Sequence, residues 1–327
     1  MADGATGDKI GRIRNVPSLE ALYQETAALN MMPGWLRRQE TSPEKPPQSA
    51  FAPAHWRYDE CKAALDAAGR LIDVSLAERR NLGLRNPALQ GPGMWTTRTL
   101  VSAYQMILPG EKAPSHRHTA HALRVIIDGK GSYSTVDNEK TPMESGDVVL
   151  TPGWCWHEHG HDGDEPAYWL DGLDVPLVAG LEAQFYEENP ERYATNATAV
   201  TTSPYRFTQA DIHRRLDKAT ADNEGFHGPQ TVLEAPTMPT MLLTVQRLPT
   251  GMKTRRQRST TNRVFCCMEG SGESMIGDQR FTWGVGDAFI APLWSWFEHK
   301  STSDAQLFEM SDEPLMKFAL YYRHEAE

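Results

Sequence analysis

The chain lacks most of what would mark a membrane, secreted or nucleic-acid-binding protein. It has no apolar run of the roughly 18 residues that a membrane-spanning helix needs, so none is expected. The opening Met1-Ala-Asp-Gly-Ala-Thr-Gly-Asp carries no basic stretch followed by an apolar one, as a secretion signal would. Cysteine is scarce: Cys61, Cys155, Cys266 and Cys267 are too few and too irregular for a disulfide framework or a thiolate zinc site, and a cytoplasmic location is expected. Positive charge is in deficit, with 33 Lys and Arg against 43 Asp and Glu and a net charge of −10. That balance excludes a nucleic acid or an anionic membrane as the main partner.

What is present is the composition of a soluble globular protein, 39% hydrophobic and 23% charged, in 327 residues that can hold two domains. Apolar positions after a candidate cap at Ser18 predict a short helix to about Leu29. Thr41 to Pro53, rich in Ser, Pro and Lys, predicts an irregular connection, and Tyr58 to Ile72 a second helix. From Thr96 the texture turns to short β-like runs punctuated by Gly and Pro, including Val101–Leu108, Leu123–Ile127, Val148–Leu150 and Tyr168–Leu170. It pauses between about Gly180 and Asn223, where helical turns are expected, and resumes at Thr240–Leu248, Arg263–Met268, Ala288–Ala291 and Leu307–Met310. Many short strands at regular spacing suit sandwiches or barrels.

The runs form two copies of one unit. Pro152-x-Trp154-x-Trp156-His157-Glu158-His159 recurs as Pro292-x-Trp294-x-Trp296-Phe297-Glu298-His299, and Gly146-Asp147 as Gly286-Asp287. The first copy holds His116-Arg117-His118 and, later, His157. Alternation along a strand puts His116 and His118 on one face, roughly 6.6 Å apart, with Arg117 opposite. A third His from a second strand completes one face of a coordination sphere, and three neutral imidazoles suit Fe, Zn, Cu, Ni or Mn. In the second copy the ligand positions are expected at Arg256 and Arg258, which cannot bind a cation. The scaffold residues recur and the histidines do not, so the fold does not need the histidines.

Arg124 lies an even number of residues beyond His118, so it is expected to face inward, where a buried guanidinium needs an anion: a substrate carboxylate or an acidic neighbour. Its counterpart in the second copy is Val264 or Arg263, depending on where a one-residue slip lies. Asp171 has no clear counterpart, whereas Asp174-x-Pro176-Leu177 resembles Asp312-x-Pro314-Leu315; Asp171 is thus the better functional candidate, to orient His159 or an Arg. His121 and His161 are expected in loops or on the surface.

The frame Gly110-x5-His116-x-His118 with Gly146-x5-Pro152-x4-His157 resembles the two cupin motifs. The longer strings Leu108-Pro-Gly-Glu-Lys-Ala-Pro-Ser-His-Arg-His118, Gly146-Asp-Val-Val-Leu-Thr-Pro152 and Trp169-Leu-Asp171-Gly-Leu-Asp174-Val-Pro-Leu177 resemble the gentisate 1,2-dioxygenase family, which includes salicylate, substituted-salicylate and 1-hydroxy-2-naphthoate 1,2-dioxygenases. The resemblance implies a mainly β bicupin: two double-stranded β-helix (jelly-roll) barrels with N-terminal and inter-barrel helices. The domains expected are a helical and extended segment over 1–95, a metal-binding cupin over 96–180, a helical linker over 181–235 and a degenerate cupin over 236–327.

It further implies one Fe(II) on His116, His118 and His157, a homotetramer, and an extradiol-type reaction with O2. That reaction opens an aromatic ortho-hydroxycarboxylate between its carboxylate- and hydroxyl-bearing carbons, as in gentisate to maleylpyruvate. Ala122 stands where most cupins place a glutamate ligand, which fits the three-His pattern. Carried over, Arg124, His159 and Asp171 are catalytic, with Arg80, Gln105 and Arg124 on the substrate. For the carboxylate Arg80 is preferred to its neighbour Arg79, and His159 has a structural alternative because His299 repeats it. Val101, where the family often has an aromatic residue, and Asn81-Leu82-Gly83-Leu84-Arg85 depart from the pattern, so a 5-substituted salicylate such as 5-nitrosalicylate stands beside gentisate. A non-catalytic binding bicupin and an oxygen-independent metal isomerase are the readings from other classes.

Overall fold

The computed structural model describes residues 3–39, 46–73 and 79–327, so part of the Thr41–Pro53 connection lies outside the described residues. Contacts divide the chain into residues 1–47 and 48–327. In the first unit, helices Asp3–Arg14 and Leu19–Ala28 are joined by an Arg12–Glu25 ion pair at 2.9 Å. The Ser18 hydroxyl accepts from Ala21 N, capping the second helix as its sequence predicts.

The larger unit is built from four β-sheets. One six-stranded sheet runs Arg206–Phe207, Val148–Thr151, Ala122–Asp128, Ala167–Leu173, Val101–Ile107, Arg80–Gly83. Its companion runs Tyr186–Glu188, Lys112–His118, His157–His161, Ser132–Val136, Glu139–Met143, Thr198–Ala199. These make the first barrel. The second repeats it, with Ala288–Ala291, Arg263–Glu269, Ala305–Ser311 and Leu242–Leu248 at the centre of one sheet, and Ser271–Ile276, Phe297–Ser301 and Gln257–Ser259 in the other. The β-rich sheets of the two halves meet across the largest apolar core, where Tyr104, Leu170, Val264, Phe308 and Met310 are all buried. Each such side chain contributes about 1.5–3 kcal/mol of burial.

Each half lends an arm to the other. Ala54–Trp56 and helix Tyr58–Leu71 precede the first barrel, yet the strand pairs with Ala288–Ala291 of the second and Tyr58 N donates to Asp287 Oδ1 at 2.7 Å. Arg206–Phe207 and helix Gln209–Leu216 precede the second barrel, yet that strand pairs with Val148–Thr151 of the first and Gln209 N donates to Asp147 Oδ1 at 3.0 Å. The recurring Gly-Asp therefore has a mechanical role. Gly146 and Gly286 sit at φ of 84° and 86°, and a Cβ on either would lie 2.6 Å from the arriving Gln209 or Tyr58. Thr240 on Asp174 and Thr99 on Asp312, each at 2.6 Å, complete the exchange.

Two expectations are corrected by this register. Residues 181–208 are short strands and turns rather than helical; the helix of this region is confined to Gln209–Leu216. The histidines fall not against Arg256 and Arg258 but against Gln257 and Ser259. His116 pairs across the ladder with His157 as Gln257 does with Phe297, and Trp154 N donates to His118 O as Trp294 N does to Ser259 O. Arg258 matches Arg117 on the opposite face, each guanidinium lying 4.4–4.7 Å over its own pair of tryptophans.

Candidate metal centre

Strand Lys112–His118 carries two of the three histidines and His157–His161 the third, and the ligand nitrogens of His116, His118 and His157 lie within 4.8 Å of one another. His118 Nδ1 lies 2.8 Å from Ala120 O and His157 Nδ1 3.0 Å from Cys155 O. Those carbonyls accept from Nδ1–H, which fixes the tautomer and leaves each Nε2 lone pair for a cation. His116 differs. Its Nδ1 is 3.4 Å from Pro114 O but 2.8 Å from Arg79 Nη2, which itself donates to Pro114 O at 2.9 Å. Guanidinium only donates, so a cation on His116 Nε2 requires the ring proton to move to Nδ1 and Arg79 to shift off the ring. Burial, then Arg79 and His118, pulls His116 down to about 3; burial also lowers His118 and His157. All three rings are neutral at neutral pH, which is the ligating form.

Around this face the structure brings together four of the other residues singled out in the sequence. Arg124 is buried, with Nη1 on Thr151 Oγ1 at 2.7 Å. Its Nε is 3.3 Å from Asp171 Oδ1 but outside hydrogen-bonding geometry, so that buried N–H has no acceptor. Desolvation lowers Arg124 to about 10 and raises Asp171 to about 6, each opposed by the charge of the other. Trp169 Nε1 donates to Asp171 at 3.1 Å, so the carboxylate is held by Trp169 and serves Arg124 rather than His159. His159 is wholly buried, 6.0 Å from His157 between ring centroids, and neither of its nitrogens has a partner. Its twin His299 is bonded by Ser274 Oγ at 2.7 Å, whereas the matching Ser134 Oγ makes no bond. Gln105 is 5% exposed and its amide makes no hydrogen bond within the described chain.

Arg80 is placed elsewhere. Its Nη1 and Nη2 grip Glu111 at 2.6 and 2.7 Å and its Nε bonds Ile72 O, so the guanidinium is fully engaged away from the histidines. Neighbours on a strand face opposite ways, and Arg79 is the one that reaches His116. Asp171 also has a counterpart after all. It faces Arg124 across the ladder as Glu309 faces Phe265, so Glu309 matches Asp171 and Phe265 matches Arg124. His161 is buried rather than on the surface, and His121 Nδ1 accepts from Gly153 N at 2.8 Å. No motif marks Tyr186, whose ring stacks on His116 at 5.2 Å from a three-residue strand paired with Lys112–His118.

Comparison with known proteins agrees with this geometry. A cupin domain model matches residues 103–174. The chain is 37% identical to gentisate 1,2 dioxygenase 1 of Aquipseudomonas alcaligenes, over 89% of this chain and 91% of that protein. It is 33% identical to 5-aminosalicylate 1,2-dioxygenase of Comamonas sp, over 94% and 90%. The salicylate 1,2-dioxygenase of Pseudoaminobacter salicylatoxidans, solved with gentisate, superposes with a TM-score of 0.88 at 27% identity, covering 96% of this chain and 95% of that one. With two jelly-roll halves, a three-histidine face in the first, and relatives of this likeness over nearly the whole length, the chain belongs to the gentisate and salicylate 1,2-dioxygenase family of bicupins.

Proposed function

We propose that the protein is an Fe(II)-dependent dioxygenase that opens an ortho-hydroxybenzoate between its carboxylate- and hydroxyl-bearing carbons, with gentisate the leading substrate and maleylpyruvate its product. The observation that carries this reading is the three neutral imidazoles beside a buried, under-satisfied Arg124. His116, His118 and His157 would hold a ferrous ion, which would supply chelation of the substrate and activation of O2. The chain's own residues do the rest. The Arg124 guanidinium, already desolvated, donates to the substrate carboxylate, with Asp171 and Thr151 fixing its plane. Neutral His159 has one N–H and one lone pair, both unspent; the lone pair takes a hydrogen bond from the ring hydroxyl. Gln105 adds an amide to the ring oxygens, and Arg79 replaces Arg80 as the second cation near the carboxylate. A homotetramer and a cytoplasmic setting belong to the same reading; among the described residues no helix is long and apolar enough to cross a membrane.

5-Substituted salicylates are the alternative substrates. Val101 begins strand Val101–Ile107, and Asn81 and Leu82 lie on the adjoining strand opposite Gln105 and Tyr104. The two departures from the family pattern are thus neighbours, and a smaller side chain at 101 suits a bulkier ring. Oxygen uptake by Fe(II)-loaded protein, measured with gentisate, salicylate and 5-amino- and 5-nitrosalicylate while the opened product is followed by ultraviolet absorbance, tests both points. One O2 per product with at least one of these acids is expected. No uptake with any of them would sink the proposal.

A further inference from the structure

His159 and Ser134 face each other across their ladder, as His299 and Ser274 do in the second barrel. Directly opposed residues of antiparallel strands share a face, with Cβ atoms about 4.5–5.5 Å apart. In the second barrel the contact is made: Ser274 Oγ and His299 Nδ1 lie 2.7 Å apart, and Trp283 Nε1 also donates to Ser274 Oγ at 2.9 Å. In the first it is left open. Ser134 and His159 are both wholly buried, yet among the described residues neither the hydroxyl nor either ring nitrogen has a hydrogen-bond partner. Met143 lies opposite Ser132 as Trp283 lies opposite Gly272, so a thioether with no proton to give stands in the place of the indole. Ser134 Oγ is left wholly for His159.

The substrate decides which way the missing bond runs. A ring hydroxyl that donates to His159 needs a bare nitrogen, and a neutral imidazole that offers one carries its proton on the other. Nδ1 is the nitrogen that the matching serine reaches in the second barrel, which leaves Nε2 for the substrate. His159 then presents Nδ1–H, a buried donor that must find an acceptor. A turn of the serine between staggered χ1 wells brings its oxygen to that proton, in the arrangement Ser274 already shows.

We propose that Ser134 is a positioning residue for the reaction: when substrate binds, its hydroxyl accepts from His159 Nδ1–H, which holds the ring and keeps Nε2 bare for the ring hydroxyl. Ser274 makes the same bond as part of the resting fold, whereas Ser134 makes it only with the ligand. The assignment rests on the oxygenase reading, through the hydrogen bond from substrate to His159.

Paired serine variants of the Fe(II)-loaded protein, assayed on the fastest of the four acids above, test it. Ser134→Ala should lower kcat/KM by about 5- to 100-fold, the effect of an unmet buried donor, and leave Tm unchanged because no bond of the resting fold is lost. Ser274→Ala should do the reverse, lowering Tm while kcat/KM stays within about two-fold of the parent. In a His159→Phe background, already slowed, Ser134→Ala should add nothing further. Nitrogen-15 spectra of histidine-labelled protein, with diamagnetic zinc in place of iron and salicylate bound, should show His159 protonated at Nδ1 and a gain of the Nε2–H form in Ser134→Ala. Full kcat/KM in Ser134→Ala, an undiminished effect of that change in the His159→Phe background, or His159 protonated at Nε2 with salicylate bound would each overturn the proposal. Unchanged turnover in His159→Phe would remove the substrate contact it rests on, and the proposal with it.

Discussion

The two barrels share their outer fittings and differ in their interiors. Both use a Gly-Asp to receive the other half's arm, both hold a tryptophan at positive φ (68° at Trp154, 63° at Trp294), and both lay an arginine over a tryptophan pair. Inside, His116, His118 and His157 give way to Gln257, Ser259 and Phe297. The inward arginine moves two positions along its strand, from 124 to the place of Ala122, becoming Arg263, and pairs with Glu309 where Arg124 pairs with Asp171. Arg263 Nη2 lies 3.2 Å from Ser259 Oγ, and its guanidinium is 5.5 Å over the Phe297 ring. A guanidinium therefore occupies the second barrel's version of the metal position. The second half takes positive charge at this depth from its own chain; in the first half the proposed metal on the three imidazoles would supply it.

The sharpest break of this comparison is to write the second barrel's residue into the first. His157→Phe removes one of three nitrogens, and we expect loss of bound metal and a fall in kcat/KM of roughly three orders of magnitude or more, read by metal analysis and turnover. The reverse change, Phe297→His, should leave metal at one equivalent per chain, because Gln257, Ser259 and Arg263 remain. Metal and turnover surviving His157→Phe would mean that the three histidines are not the centre.

The arginines give a smaller, divided effect. Arg124→Met should raise KM by about 10- to 100-fold, the value of a charged hydrogen bond, and also lower Tm, because buried Asp171 keeps only Trp169 as a partner. Arg263→Met should leave KM alone but lower stability by about 3–5 kcal/mol, since Glu309 and Glu313 lose their buried partner. Equal effects on KM from both would erase the distinction between a binding cation and a structural one.

What the sequence shows of this difference depends on period and range. Strand alternation placed His116 and His118 on one face, and the Gly, Pro and Trp frame located His157, because turn residues recur wherever the fold needs them. The same alternation misplaced the second copy's ligand positions: a slip of one residue in a strand exchanges its faces, so Arg256 and Arg258 look like inward residues until the ladder pairs Gln257 with Phe297. Arg79 and Arg80 are adjacent and point apart, which only the Glu111 bidentate pair resolves. The exchanged arms were out of reach, since order along the chain says that a helix precedes a barrel but not which barrel receives it.

The smallest effect expected from the comparison is in acid. Four histidines of the first barrel, the buried His116, His157 and His159 and the half-buried His118, are pulled below the ordinary imidazole value chiefly by desolvation, and in the second His299 is pulled down to about 3 by burial and Arg263. A depressed histidine stays neutral in the fold while the unfolded chain takes up protons below about 6.5. The unfolded state then binds more protons, and stability present above that value is lost as pH falls toward the folded values. Asp171 runs the other way: raised to about 6, it is a burden at neutral pH that protonation relieves as pH falls through about 6. One carboxyl offsets only part of four rings. Hydrogen exchange of metal-free protein near pH 5 and near pH 7.5, corrected for intrinsic rates, should therefore show Lys112–His118 and His157–His161 losing more protection than Gln257–Ser259 and Phe297–Ser301. Equal losses in the two barrels would mean that the fold they share, and not the burial of the rings, sets the acid response.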